Sequence, residues 1–201
     1  MYRRSLLAIV AALTIGLLPL APASGVTATV SVSNYDFAPD SPAINRGDSV
    51  EWAWEQGTHR LRDDNIELRV IRSPLLTGGG DVAPTHTELF WAAGTYPYHC
   101  TEHPEQMEGR IRVRLTARYR DDVMIAVRWA TQAPPTGYVY DVQYLPPGET
   151  MWSMWKHGVI STSAAYDTPP ESFSPKFRSR LRRQGYAPSL WSPAATAPVS
   201  T

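Results

Sequence analysis

The chain of 201 residues is 43% apolar and 10% aromatic, which is enough to bury a core and excludes disorder along its whole length. Its 19 basic and 19 acidic residues balance, which leaves no case for a nucleic-acid-binding protein. A single cysteine, Cys100, excludes an intramolecular disulfide framework. The charges are unevenly divided, since Val26–Leu115 has eight basic and thirteen acidic residues whereas Thr116–Thr201 has nine and six. We therefore expect two differently built parts.

Residues 1–23 have the pattern of a secretory signal peptide. Met1–Arg4 is a basic start, Leu6–Leu18 is an apolar run, and Ala21–Ala23 offers small residues for cleavage. The apolar run is shorter than the roughly 20 residues that a membrane-spanning helix requires, which makes an uncleaved anchor the weaker alternative. We expect a mature protein without a membrane span that is secreted or periplasmic.

After the signal, apolar and polar residues alternate in short segments separated by Pro and Gly, and no segment shows a helical period with caps at both ends. This pattern predicts an all-β protein built as antiparallel sandwiches or barrels. The alternating segments are Val26–Val32, Val50–Trp54, Ile66–Val70, Ile111–Leu115, Val123–Trp129 and Tyr138–Tyr144. We place the boundary between two sandwiches near residues 115–120, because each half then has the roughly 90–100 residues that seven strands require.

A cluster of metal-ligating residue types follows one predicted strand. Cys100, His103 and Met107 lie in a single loop, and His59 precedes them by about forty residues, at the end of another strand. A thiolate, two imidazoles and a thioether suit a soft, redox-active metal, and copper fits best. Zinc would gain little from the thioether. A ligand loop shorter by one residue would place Gln106 in the axial position, so Gln106 stays open as the alternative to Met107.

The segment Tyr98–Gly109 resembles the copper-binding end of cupredoxins of the plastocyanin, amicyanin and pseudoazurin kind. The resemblance covers residues 26–115 and includes the strand Arg46–Trp52, which precedes the first ligand histidine in that family, and the Met-x-Gly step into the last strand. It implies a cupredoxin Greek-key β-sandwich with one type 1 (blue) copper per chain. The implied copper ligands are His59, Cys100, His103 and Met107.

The second part, residues 116–201, is similar to a fibronectin type III domain. Val123–Trp129 and Gly137–Tyr144 resemble its second and third strands, and Trp191–Pro193 resembles a Trp-Ser element near its end. The resemblance implies a second β-sandwich, in which we find no metal-ligating cluster and no nucleophile paired with a base. The basic run Arg178–Arg183 is interpreted as a solvated strand face, with contact to an acidic polymer or another protein as the alternative.

Two classes of function fit these features. The first is an exported carrier of single electrons that cycles between Cu(I) and Cu(II), and the second is a copper-binding or copper-delivery protein without electron transfer. A copper oxidoreductase is a weaker third, because four donors saturate the metal whereas an enzyme needs an open coordination position. Glu102, Glu105 and Glu108 around the ligand loop are either simply solvated or form a negative rim for a basic redox partner.

Overall fold

The computed structural model describes residues 25–121, 124–167 and 174–197, so the predicted signal peptide lies outside the described residues. The elements in those ranges are all β-strands. No helix among the described residues is long and apolar enough to cross a membrane. The strands before residue 115 are β1 Thr27–Ser33, β2 Asp36–Ala38, β3 Ala43–Asn45, β4 Ser49–Trp54, β5 Gly57–His59, β6 Leu61–Asp63, β7 Leu76–Gly78, β8 Thr85–Leu89, β9 Gly94–Cys100 and β10 Glu108–Arg114. The later strands are β11 Thr116–Asp121, β12 Met124–Arg128, β13 Tyr138–Leu145, β14 Ser153–Val159, β15 Ser163–Asp167, β16 Lys176–Arg183 and β17 Ala195–Thr196.

The strands up to β10 form a sandwich of two four-stranded sheets. One sheet has the order β2-β1-β4-β8, with β1 and β4 parallel, and the other has the order β3-β10-β9-β6, with β3 and β10 parallel. The chain passes repeatedly from one sheet to the other, as in a Greek-key sandwich, and β5 and β7 form a separate two-stranded ribbon beside it. The predicted all-β sandwich is confirmed, but the prediction that its sheets are antiparallel is wrong, because each contains one parallel pair.

Period-two alternation explains how the two sheets face one another. Val50, Trp52 and Trp54 of β4 are fully buried, and the residues between them are half-buried. In β10 the apolar residues point inward and alternate with exposed charged ones. The Trp52 Nε1–H donates a 3.1 Å hydrogen bond to the Tyr98 hydroxyl of the opposite sheet, so a buried polar contact ties the two layers together.

The later strands form a second sandwich, with sheets ordered β11-β12-β15 and β14-β13-β16-β17. Its core is aromatic: Trp129 and Phe177 are fully buried, and Trp155 contacts both Phe177 and Tyr166 through its ring. The alternation predicted within β12 is confirmed for its described residues, although Val123 lies outside them. The alternation predicted for β13 is wrong, because the four consecutive residues Val139–Val142 are all buried. The likeness to fibronectin type III stays a prediction.

A buried carboxylate organises the basic run of the second sandwich. Asp141 in β13 is fully buried, and its Oδ2 accepts hydrogen bonds from Arg180 Nε and Arg182 Nε, both at 3.1 Å. Burial alone would raise the pKa of Asp141, but hydrogen bonds from Arg182, the Gly158 N–H and Arg180 hold it below its ordinary value. Two arginines of the run are therefore bound within the fold.

The two sandwiches are joined by backbone hydrogen bonds as well as by the chain connection at Leu115. The Ala93 N–H donates to the Trp129 carbonyl at 2.7 Å, and Thr95 and Leu190 exchange a reciprocal pair at 3.0 Å. The buried apolar residues of both sandwiches also belong to one continuous cluster. No sheet combines strands from the two sides of Leu115 in the described chain. Whether residues 26–115 and 116–201 are separate domains stays a prediction.

The strand predicted at residues 66–70 is wrong, because this segment forms a turn. The Leu68 N–H donates to the Asn65 carbonyl at 2.9 Å, and Arg69 adopts a left-handed φ of 53°. Ile66 is 65% exposed, so the alternating pattern does not pack one face against the core. Leu68 is buried in the core and Val70 is packed against it, whereas Ile66 faces solvent.

A buried carboxylate, Asp63, holds the end of this turn. Its Oδ2 accepts the N–H groups of Val70 at 2.8 Å and Ile71 at 3.0 Å, whereas its Oδ1 is buried without a hydrogen-bond partner. Burial raises the pKa of Asp63 to about 7, against the lowering effect of the two backbone hydrogen bonds. The folded protein therefore binds the proton of Asp63 more tightly than the unfolded chain does.

We predict that Asp63→Asn removes a pH dependence of stability. Because the folded pKa exceeds the unfolded value of 3.8, the contribution of Asp63 is fully present below that value and is lost as pH rises through about 7. Urea unfolding of the metal-free protein measures the free energy of unfolding at pH 5 and at pH 8. Between these pH values the free energy should fall by about 3 kcal/mol less in Asp63→Asn than in the natural chain, since Asp63 contributes over about two pH units at 1.36 kcal/mol each. The exposed Asp81→Asn serves as the control, and equal pH dependence in all three proteins would contradict the role of Asp63.

Candidate metal centre

The loop between β9 and β10 is closed by backbone hydrogen bonds. The Cys100 N–H donates to the Met107 carbonyl at 3.0 Å, where β9 ends and β10 is about to begin. Inside the loop, the His103 N–H donates to the Cys100 carbonyl at 3.1 Å and the Met107 N–H donates to the His103 carbonyl at 3.0 Å. These bonds fix all three predicted loop residues relative to the sheet.

Three of the predicted residues place potential ligand atoms together. Cys100 Sγ lies 3.6 Å from His59 Nδ1 and 3.8 Å from His103 Nδ1, and the three atoms all lie within 4.8 Å of one another. Cys100 and His59 are buried, and His103 is half-buried. The contact with His59 joins residues 41 positions apart, so it depends on the sandwich rather than on the loop.

His59 is held by contacts on both its ring and its backbone. Its Nε2 lies 3.0 Å from the Gln56 carbonyl, and Trp54 Nε1 donates to the His59 carbonyl at 3.1 Å. Since a carbonyl only accepts, the neutral ring carries its proton on Nε2 and directs the Nδ1 lone pair toward the thiol. Burial lowers the pKa of His59 and outweighs the raising effect of the hydrogen bond to the Gln56 carbonyl, which keeps the ring neutral for metal ligation.

Met107 and Gln106, the two alternatives for a fourth ligand, differ in burial. Met107 is 1% exposed and belongs to the same buried cluster as Cys100, whereas Gln106 is exposed. The backbone bond between Cys100 and Met107 places these two residues opposite each other at the base of the loop.

His103 lies at the surface end of the cluster. Its ring meets the edge of the Tyr35 ring at a centroid distance of 4.7 Å and lies 5.1 Å from the His59 ring. Tyr35 is 56% exposed and has a left-handed φ of 61°. Together with Thr58 and Glu102, these rings line a shallow depression. His103 is thus the candidate ligand that solvent and a partner can reach.

The other histidines contact carboxylates away from this cluster. His99 Nδ1 lies 2.8 Å from Asp64, and His86 Nε2 lies 2.9 Å from Glu88. His157 is 67% exposed in its side chain and contacts Asp141. Within residues 25–121, 124–167 and 174–197, the cluster around Cys100 is the single group of three such ligand-type side chains.

Sequence reasoning missed three supports of the cluster. Gln56 contributes only a carbonyl, so its residue type gave no signal. Gly57 is required by its φ of 78° and because a Cβ there would lie 2.6 Å from His59 Nε2; an isolated glycine beside a predicted strand does indicate close backbone approach. Tyr35 gave no signal, since its contact with His103 is created by the fold.

The donor set fits copper. One thiol sulfur and two imidazole nitrogens face one another, the thioether of Met107 is buried in the same loop, and soft or borderline ligands of this kind select copper. Hard cations such as Mg²⁺ and Ca²⁺ prefer oxygen ligands, which this cluster lacks.

Solved structures similar to this chain are cupredoxins. A mutant plastocyanin of fern is 24% identical and covers 43% of this chain and 100% of that chain, with a TM-score of 0.38. A purple cupredoxin from Nitrosopumilus maritimus is 23% identical and covers 43% of this chain and 99% of that chain, with a TM-score of 0.38. Amicyanin from Paracoccus versutus (Thiobacillus versutus) is 23% identical and covers 47% of this chain and 86% of that chain, with a TM-score of 0.37. No family model and no curated protein matches the chain.

We predict that Gly57→Ala weakens copper binding because the new methyl group displaces the His59 ring from the Gln56 carbonyl. The matched control is Gly79→Ala, which imposes a comparable left-handed strain at φ 105° but meets no atom within 4 Å. Both variants should lose about 1–2 kcal/mol of stability from backbone strain. Only Gly57→Ala should also lose about tenfold or more in copper affinity, as expected when a ligand's support is removed. Chelator competition measures this affinity, and equal losses in the two variants would contradict the proposed support.

Proposed function

We propose that this chain is an exported type 1 copper protein that carries single electrons. One observation carries the proposal: the buried Cys100 thiol faces the Nδ1 atoms of two histidines at one end of a sandwich. The proposed ligands of the single copper are His59, Cys100, His103 and Met107. Copper bound there supplies a one-electron Cu(II)/Cu(I) couple.

Met107 is the proposed axial ligand. Its burial beside Cys100 supports this choice over Gln106, whose side chain is exposed. A thioether in this position is also the weak axial donor that accompanies a His₂Cys set in blue-copper sites. The preference for copper over zinc depends on the same residue, since a thioether contributes little to zinc binding.

The surroundings of these ligands suit electron transfer, because they keep the donors in place and exclude water. Cys100 is bonded through its backbone to the loop, and His59 is bonded through both its ring and its carbonyl. Donors held in this way move little when the metal charge changes. Burial of Cys100 and His59 also prevents solvent from taking a ligand position.

His103 is the proposed exit for the electron. It is half-buried, whereas His59, Cys100 and Met107 are each no more than 1% exposed. The exposed Glu102 and Glu105 flank it, and residues 26–115 carry five more acidic than basic residues. This charge supports a basic redox partner whose approach is accelerated at low salt.

Saturation of the metal supports a carrier over an oxidoreductase. Four donors complete one copper, and the described residues contain no second cluster of three ligand-type side chains. A substrate would find no open position on such a metal. Copper delivery is the remaining alternative, and slow electron exchange together with ready copper release would favour it. Export continues to rest on the signal pattern of residues 1–23.

We predict that the copper-loaded protein has an intense visible absorption band that Cys100→Ser abolishes, because the thiolate is the charge-transfer donor. Met107→Gln should keep the copper but lower the reduction potential by about 59 mV or more, a tenfold change in the ratio of Cu(I) to Cu(II) affinity. Gln106→Ala is the matched control and should leave the potential unchanged. A Cys100→Ser protein that stays coloured, or a larger shift in Gln106→Ala than in Met107→Gln, would show that the ligands are wrongly assigned.

We predict fast electron exchange with a basic c-type cytochrome and no steady turnover of nitrite, phenols or oxygen. Stopped-flow rate constants should fall as ionic strength rises, because opposite charges are increasingly screened. Glu102→Gln should flatten this salt dependence, whereas Glu149→Gln on the second sandwich should leave it unchanged. Two coppers per chain together with steady substrate turnover would instead favour an enzyme.

A further inference from the structure

Four arginines line an open groove between the two sandwiches, here called the arginine groove. Arg46 comes from the turn between β3 and β4, Arg118 and Arg120 come from β11, and Arg128 comes from β12. The groove has a volume of about 510 Å³, and Thr116, Tyr119 and Ala126 complete its lining. Residues far apart in the sequence thus bring four positive charges to one concave surface.

Strand register explains why Arg118 and Arg128 share a face. Thr116 and Arg118 are two residues apart in β11 and point to the same side of the sheet, whereas Arg120 lies at an irregularity of the ladder between Tyr119 and Asp121. Thr116 pairs with Arg128 across the ladder, and Arg118 pairs with Ala126. Because Ala126 is small, no bulky side chain fills the space opposite Arg118.

These arginines differ from three of the four in the run 178–183 in having no anionic partner among the described side chains. Arg180 and Arg182 pair with Asp141, and Arg183 pairs with Glu67. None of the four groove arginines forms an ion pair with a carboxylate that the structure describes. Two carboxylates therefore balance two of the four positive charges of the run, whereas no carboxylate among the described side chains balances a groove arginine.

Crowding of like charges makes this arrangement costly without an anion. Burial lowers the pKa of the half-buried Arg46, and the positive charges of Arg128 and Arg118 lower it further. An anion placed between these groups would replace repulsion by attraction and would accept hydrogen bonds from the guanidinium groups. The groove thus has the electrostatic properties of a binding site for a multiply charged anion.

We propose that the arginine groove binds phosphate-type oxyanions. Guanidinium groups are planar and carry several N–H donors, so they form paired hydrogen bonds with the oxygens of a phosphoryl group. Four such groups around one groove match either a single dianion or two adjacent phosphoryl groups. The Thr116 hydroxyl offers a further hydrogen-bonding group at the same surface. The phosphoryl group could be free phosphate or part of a phosphate polymer.

This site is separate from the candidate metal centre. Arg46 precedes the start of β4, whereas Trp54 at the other end of β4 contacts the backbone of His59. Six extended residues span about 20 Å, so the groove and the thiol lie at opposite ends of that strand. Oxyanion binding should therefore leave the visible spectrum of the copper-loaded protein unchanged, and it does not depend on the proposed electron transfer.

Isothermal titration calorimetry of the full mature chain at constant ionic strength tests the proposal, with inorganic phosphate as the probe and chloride as the reference anion. We expect a dissociation constant of about 1 mM or tighter for phosphate, given several charge-assisted contacts. Arg118→Gln combined with Arg128→Gln should weaken binding about tenfold or more. The charge-matched control, Arg110→Gln combined with Lys176→Gln, should bind phosphate within about twofold of the natural chain.

Thermal unfolding supplies a second readout that separates loss of the site from loss of the fold. Phosphate should raise the midpoint of the natural chain and of the control variant, but not that of the Arg118→Gln/Arg128→Gln variant. Without phosphate, that variant should unfold at the same or a higher temperature, because two repelling charges are removed. A polyphosphate chain that binds more tightly per phosphoryl group than phosphate identifies a polymer as the source, and equal binding identifies the free ion. Absence of binding by both anions, or equal binding by the groove variant and the natural chain, would overturn the proposal.

Discussion

The hydrogen bond from the Cys100 N–H to the Met107 carbonyl, 3.0 Å long, closes the loop between two paired strands. Because β9 and β10 are antiparallel, this bond sets where the ladder stops and the loop begins. The loop then turns tightly enough for the His103 N–H to reach the Cys100 carbonyl and for both side chains to converge. The position of the candidate centre therefore depends on the sheet, because the ligand loop begins where the ladder between β9 and β10 stops, at one end of the sandwich.

The parts of the fold and site that could be predicted are those with local causes. The short spacing of Cys100, His103 and Met107 is a property of one loop, and period-two burial in β4 and β10 is a property of single strands. The orientation of His59 could not be predicted, because it depends on a backbone carbonyl. The strand predicted at residues 66–70 failed for a related reason: the Asp63 carboxylate takes the Val70 and Ile71 N–H groups that a strand would have paired.

Charge shows the same limit of local reasoning. The sequence favours a solvated strand face for the four arginines within residues 178–183, yet three of them pair with Asp141 and Glu67, and Arg178 stacks on Trp152 and Trp191. The arginines without partners among the described side chains are scattered over two sandwiches, where no run of sequence marks them. Net charge is thus a poor guide to where an anion binds, since pairing within the fold decides which charges remain available.

The second sandwich also contacts β9, the strand that carries the Cys100 thiol. At the start of β9, Thr95 exchanges backbone hydrogen bonds with Leu190, and its hydroxyl donates to the Trp191 carbonyl at 2.9 Å. The backbone of β9 and the segment around Ser189 approach each other closely here: a Cβ at Gly94 would lie 2.9 Å from the Ser189 hydroxyl. β9 is therefore fixed at its start by the second sandwich and at its end by the ligand loop. A strand restrained at both ends can move little along its axis, so the later half of the chain contributes to the rigidity of the centre without supplying a ligand.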